Sequence, residues 1–476
     1  MSLRSGKVLS SKVLMIIIAI VIVVALFSIA FTVNPNEWAI VYKGNVGDAS
    51  NALVMWSPTG DKVAVIRSKD VYILDLGSKA LRRVLFQFSN PYAEERIVRA
   101  SWSPNGKLLA VQTNWKVVLI DPSEGKGLWS LNVDPLKGFL TSFTWLPSGD
   151  GLIASVIEEG TNGSITGRLI WLNMNGNITR DLRFNIPIYS ISCSPGCEYV
   201  ALASYSINTF GFIINVSSNV IVITSSGEVI SNVSMNKCLI DGVYWSGSGD
   251  LIAFKGYCGL KGQYFTSLSL GLMDMRGRML WNYSLPYGQV ATTGLLSHEI
   301  DELREISVRW SPSDKFIAYE VGPHPSNYVL TILSVRDGKA IVQLGTYGVK
   351  ELGNKTYIIA SSDWNPLTNV IAVAAVGSSR GGTLASNIVL MNVTNNDVKL
   401  WLKSQEFRGY IRSIAWSPSG DRVACVIADY EGNKNLLLIL NPLQRGGRLP
   451  EYLVIMLIAI IVVSLIAHIL VRRRKS

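Results

Sequence analysis

Apolar and polar residues alternate in short runs along most of the chain, as in VYILDL (71–76), VVLIDP (117–122), VLTILSV (329–335) and LLLILNP (436–442), with Gly, Asp and Asn between them. A period of two bounded by turn residues predicts short antiparallel strands. Two stretches break the pattern. Residues 13–33 and 450–471 each hold an apolar run free of Asp, Glu, Lys and Arg, Val13–Val33 and Tyr452–Val471. Each run is long enough to cross a bilayer as a helix, which takes about 20 residues. The chain therefore divides into a tail (1–12), a first transmembrane helix (13–33), a strand-rich middle (34–449), a second transmembrane helix (450–471) and a basic tail (472–476).

One phrase recurs ahead of the strands. MWSPTGDKVAV (55–65), SWSPNGKLLAV (101–111), TWLPSGDGLIA (144–154), SCSPGCEYVAL (192–202), YWSGSGDLIAF (244–254), RWSPSDKFIAY (309–319), DWNPLTNVIAV (363–373) and AWSPSGDRVAC (415–425) are eight copies, mostly 43–54 residues apart. Pro fixes φ in the turn, Gly permits the positive φ of a tight reversal, and Trp56, Trp102, Trp145, Trp245, Trp310, Trp364 and Trp416 are expected to wedge between neighbouring sheets as repeat-core residues. A repeat of this length supplies about four strands and cannot bury both faces of its sheet alone. Stacked radially, each sheet covers the next.

The W-S-P-x-G-D phrase followed by apolar residues and often Ala resembles the repeats of TolB and of the propellers attached to prolyl and dipeptidyl peptidases, relatives of WD-type propellers. The resemblance covers residues 37–442 and implies an all-β, eight-bladed β-propeller. It implies little about activity, because one fold hosts many functions.

Closure is expected from the ends of the series. The last repeat supplies strands ending at Trp416, near Arg422–Ala428 and near Asn435–Leu440, and lacks an outer strand. EWAIVY (37–42) has the right alternation to fill the gap beside Asn435–Leu440, leaving no open ring. Strand order then puts both chain ends on the face of the W-S-P turns. The opposite face would carry long loops near 157–167, 205–218, 257–266, 285–305, 345–356 and 377–386, expected to be the membrane-distal binding face.

Charge locates the membrane sides. Of the net +10, Arg4, Lys7, Lys12 and Arg472, Arg473, Arg474, Lys475 account for seven. Positive flanks on both terminal sides put the tails in the cytoplasm and the propeller outside. The middle is too weakly basic for a nucleic-acid surface. N-x-Ser/Thr sequons at Asn162, Asn177, Asn215, Asn232, Asn282, Asn354 and Asn392 all fall in the external part, five of them (Asn162, Asn215, Asn232, Asn282, Asn354) expected at or beside the distal face. Scarce Gln and His hint at a heat-adapted, archaeal cell-surface protein.

Chemistry is sparse. GSSRG (377–381) fits the G-x-S-x-G pattern with Ser379 as nucleophile, but it sits between strands and the one later histidine, His468, is in a membrane run. His298 and His324 have no metal-ligand spacing, and SHEIDELREI (297–306) reads as a charged insertion, helical or solvated. No catalytic residue, metal ligand or cofactor-binding residue is assigned. Cys238 and Cys258 are symmetric about a turn, so antiparallel pairing brings them into disulfide reach; Cys193 and Cys197 form a weaker candidate pair, and Cys425 is expected as a buried thiol. The sequence therefore favours a membrane-anchored scaffold or accessory subunit with protein partners. The alternative is a propeller enzyme, hydrolase or oxidoreductase, using the central channel.

Overall fold

Eight antiparallel sheets follow one another along the chain, each a simple meander except the last. The computed structural model describes residues 38–86, 95–160, 163–210, 213–262, 264–291, 307–321, 329–345, 357–378, 384–395 and 397–445. The sheets are blades of a β-propeller, numbered one to eight from Ala52 onward. The eighth is composite: strands Tyr410–Trp416, Val423–Asp429 and Lys434–Arg445 are completed by Trp38–Asn45 from the start of the chain. The expected closure is thus present. Val46 donates its N–H to Asn435 O (2.9 Å), and Asn435 donates to Gly47 O (2.7 Å). Contacts divide the chain into two units, Val41–Leu440, which is the ring, and the two chain ends, 1–40 with 441–476.

Three details depart from expectation. The third strand of blade eight runs on to Arg445 rather than stopping at Leu440. Blade seven gains a fifth strand, Phe407–Arg408, paired with the end of Leu384–Val393. Two of the expected loops are largely strand: 205–210 and 213–218 belong to a hairpin, Tyr199–Phe210 with Ile213–Thr224, and the strands of blade three run to Glu159 and from Ile165; 292–305, 346–356 and 379–383 lie outside the described residues. Alternating Ser, Asn and aliphatic residues mimic a loop in composition, yet Ile, Val, Thr and Tyr on a half-buried pleat favour strand.

The core is a series of inter-blade layers. Blades one and eight share one that includes Val54, Trp56, Leu74, Val426 and Ile439. Within blade five the packing is equally close: a Cβ on Gly271 would come 2.0 Å from the Phe254 ring on the neighbouring strand.

Among the described residues no helix is long and apolar enough to cross a membrane. The two apolar runs lie outside the described residues, as do His298, His324, His468, Ser379, the 297–306 insertion, Asn162 and Asn354.

Candidate interaction face

The W-S-P phrase builds one face of the ring. In six repeats the serine hydroxyl accepts the backbone N–H of the residue five positions on, at 2.9–3.2 Å, tying the start of the second strand to the turn. The serine carbonyl accepts the N–H three residues on, from Gly60 to Ser57 (2.9 Å) and from Gly420 to Ser417 (2.9 Å). Those glycines have φ of 74° and 67°, where a side chain is costly. Asp61 and Asp421 complete the turn by accepting from Ser57 and Ser417, each at 2.9 Å. Partial burial would raise the Asp61 pKa, but hydrogen bonds from Lys62, Thr59 and Ser57 outweigh it and hold the carboxyl at about 2.

Four of the seven row tryptophans tie their turn to the previous blade, while the indole nitrogens of Trp102, Trp245 and Trp416 are buried without a partner. Trp56 donates its indole N–H to Ala415 O (3.0 Å), Trp145 to Ser101 O (3.1 Å), Trp310 to Tyr244 O (3.3 Å) and Trp364 to Arg309 O (3.1 Å). Each acceptor immediately precedes the row tryptophan of the previous blade. Trp310 is half-buried, whereas the other six tryptophans of the row are buried. A second ladder runs deeper in. The N–H two residues before each marker meets a serine hydroxyl one blade back: Val54 to Ser413 (3.1 Å), Val243 to Ser190 (3.4 Å) and Ile414 to Ser361 (3.3 Å). Sequence reading missed these serines, although their spacing three residues before the repeat marker was available as a signal.

Charged groups on the first strands of blades six and seven are tied into the same scaffolding. Arg309 donates to Asp363 Oδ1 (3.1 Å), and Asp363 Oδ2 accepts the Trp416 N–H (2.8 Å). Burial raises the Asp363 pKa against the opposing pull of Arg309. Among the described residues no three His, Cys, Asp or Glu side chains gather as metal ligands would.

Among the described residues, blades four and five extend furthest on the opposite face. The inner strand of blade four, Ser190–Cys193, pairs only with Val200–Ala203. The following hairpin continues from Ser204 to Phe210, about 20 Å further at ~3.3 Å per residue. From Tyr199 to Gly227 there is no charged residue. Isolated hairpins are marginal, so this one needs support, and blade five supplies it. Val216, Leu239 and Phe265 are buried together in a satellite core, with Tyr205, Ile207, Ile214, Tyr257 and Leu260 packed against it. Ser218 donates its hydroxyl to Cys238 O (2.7 Å) and accepts the Ile240 N–H (2.9 Å). Tyr189 stacks on Tyr205 with centroids 3.6 Å apart, and burial raises the Tyr205 pKa.

Cys238 and Cys258 are opposite one another in register at the base of this platform, with Cα atoms 4.1 Å apart, and are disulfide-bonded. Cys193 is bonded to Cys197. Cys425 is a buried free thiol whose pKa burial pushes up.

Five sequon asparagines are described, Asn177, Asn215, Asn232, Asn282 and Asn392, and all are exposed. Only Asn215, on the platform hairpin, is on the face opposite the W-S-P turns. Asn232 and Asn282, expected at or beside that face, are instead each the fourth residue of the outermost strand of blade four or five. In both blades the outermost strand runs on past the sequon, to Asn236 and to Ala291, which keeps each asparagine away from the face.

No family model and no curated protein sequence matches the chain. Among solved structures it is similar to the Dos1 propeller, with TM-score 0.55 and 13% identity over 85% of this chain and 96% of that one. Lower similarity is found to a chain of the mitotic checkpoint complex (TM-score 0.46, 12% identity, 93% and 96% covered). It is also found to the Cps50 (Swd1) β-propeller domain of Myceliophteria thermophila (TM-score 0.42, 12% identity, 83% and 99% covered). At such identities the likeness carries the fold alone.

Proposed function

We propose that the chain is a two-pass membrane protein whose external propeller is a protein-interaction scaffold, engaging its partner through the blade-four platform. One observation carries this reading: a charge-free hairpin reaches about 20 Å beyond its blade's inner strand and is braced by a satellite core and a disulfide. Cores of interfaces are depleted in charge, and a rigid support lowers the ordering cost of binding. Scaffold function also agrees with Arg309 and Asp363 being spent on bonds between blades.

The external location is supported by the two uncharged apolar runs with basic flanks and by two disulfides, which persist in oxidising compartments. Leu440 is opposite Val423, just after a W-S-P turn, so the chain leaves the ring on that face. On this reading the platform faces away from the bilayer.

Two measurements test it. A photo-crosslinking residue at Ser206 or Asn208 in the full-length protein should trap one protein species in native membranes, while the same residue at Thr59 or Ser419 should not. Crosslinks from the W-S-P turns alone would sink the platform assignment. Single cysteines placed in the two tails should react with a membrane-impermeant maleimide only after the membrane is opened; labelling on intact cells would refute the topology.

A further inference from the structure

Among the described residues the outermost strand of each blade has one unpaired edge, and such edges invite pairing with another chain unless blocked by charge, Pro or shortness. Six blades are blocked in these ways. Leu81–Leu85 contains Arg82 and Arg83, Lys126–Asn132 contains Lys126, and Ile178–Phe184 contains Arg180, Asp181 and Arg183. Val398–Lys403 contains Lys399 and Lys403, Trp38–Asn45 contains Lys43, and Ala340–Leu344 is uncharged but only five residues long.

Blades four and five differ. Val229–Asn236 and Met279–Ala291 are eight and thirteen residues long and hold no charge. Like most of the other edges, both expose apolar side chains, Val229, Ile230, Met279 and Leu280, but with no charge among them. Only blade five has a proline, Pro286, which interrupts the far half of its edge.

Each of these two strands carries a sequon, and the registers make the two positions equivalent. Asn232 is opposite Ile221, which is opposite Leu202, which is opposite Ile191, two residues before Cys193. Asn282 is opposite Gly271, then Phe254, then Val243, two residues before Trp245. The same count reaches Arg83 in blade one, Asp181 in blade three and Lys403 in blade seven. Those three blades hold a charge there and blades two and six hold Ser130 and Gln343, whereas these two hold an exposed Asn with Ser two residues on, Ser234 and Ser284, both exposed on the same side of the strand.

We propose that Asn232 and Asn282 carry N-linked glycans, and that these glycans guard the free edges of blades four and five in place of the charges used elsewhere. The donor is an oligosaccharide on a polyprenyl phosphate carrier. The Asn Nδ2–C1 bond forms as the C1–O bond to the carrier phosphate breaks; Nδ2 loses one proton and the carrier leaves with the bonding pair as its phosphate. Neither step needs an oxidant or reductant. A hydrated glycan of this bulk at mid-strand denies a second strand the approach that ladder pairing requires. The proposal rests on the external location argued above.

The test uses the full-length chain, made in a host that glycosylates N-x-Ser/Thr and purified in mild detergent. Peptide mapping should find glycan on Asn232 and Asn282. The Asn232→Gln/Asn282→Gln variant should keep the strand signature in circular dichroism, while its protein molar mass by light scattering rises with concentration above the 52.2 kDa of one chain. Asn232→Gln alone should account for most of that rise, because blade five retains Pro286. Asn232→Lys/Asn282→Lys, which restores the device of the other blades without sugar, should stay monomeric. Glycan on Asn177 or Asn392 but not on Asn232 and Asn282 overturns the guard while leaving the external location standing. Absence from all four overturns the location as well. A monomeric Gln variant, or a Lys variant that associates as the Gln variant does, overturns the guard even with both glycans in place.

Discussion

Cys193 stands at the position that Trp holds in the other seven repeats, and its sulfur is bonded to Cys197, which stands at the glycine position of the turn with φ of 52°. The two substitutions are coupled. Without an indole to fill the inter-blade space and without glycine's freedom at positive φ, the turn is held covalently instead.

Breaking this pair should therefore cost stability, and breaking the other should cost more. On loop-entropy grounds a bridge spanning about 5 residues contributes ~2 kcal/mol and one spanning about 20 residues ~3 kcal/mol. Cys238→Ser/Cys258→Ser is expected to lower the denaturation midpoint more than Cys193→Ser/Cys197→Gly, in which glycine also relieves the left-handed backbone. Urea melts of the two variants against the native protein decide the order; a reversed order would show that the short bridge does more than close a loop.

The indole linkages should be separable from indole bulk. Trp364→Phe keeps an aromatic ring but leaves Arg309 O without its donor, an expected loss of ~1–3 kcal/mol for an unpaired buried group beyond the packing change. The Trp102 indole nitrogen is buried with no hydrogen-bond partner, so Trp102→Phe should cost less. Equal losses measured by chemical denaturation would assign the row to packing alone.

Gly271→Ala should destabilise blade five by ~1–3 kcal/mol or more, the usual cost of overpacking, because the new methyl meets the Phe254 ring. Gly345→Ala is the matched control, since nothing lies within 4 Å of its added Cβ. Thermal melts that place the two variants together would contradict the inter-strand contact.

Acid should loosen the W-S-P face. Asp61 and Asp421 have folded pKa values below the ordinary 3.8, so their stabilisation is complete above that value and is lost as pH falls through it, for Asp61 towards about 2. Asp363 has the opposite sign: burial raises its pKa, so the folded chain holds that proton more readily than the unfolded one. Asp61→Asn/Asp421→Asn should flatten the acid limb of a stability–pH curve measured from about pH 5 to about pH 2, and an unchanged limb would place the effect elsewhere.

The sequence by itself determined the repeat, the blade count and the closure. These follow from local signals, a period of two, a turn phrase with Pro and Gly, and a last repeat one strand short, which Trp38–Asn45 completes. It also determined the Cys238–Cys258 pairing, because hairpin symmetry fixes which residues face each other. Only the tertiary structure decided that residues 205–218 form a projecting hairpin, since what makes them strand is packing of Val216 on Leu239 and Phe265 from another blade. Only the tertiary structure revealed that Ser190, Ser361 and Ser413 bridge blades, and that Asn232 and Asn282 share one position on successive outer edges. Register across four strands sets that equivalence. Bulges such as those at Ile240/Gly242 and Leu272/Met273 shift it by a residue, and a count along the chain does not see them.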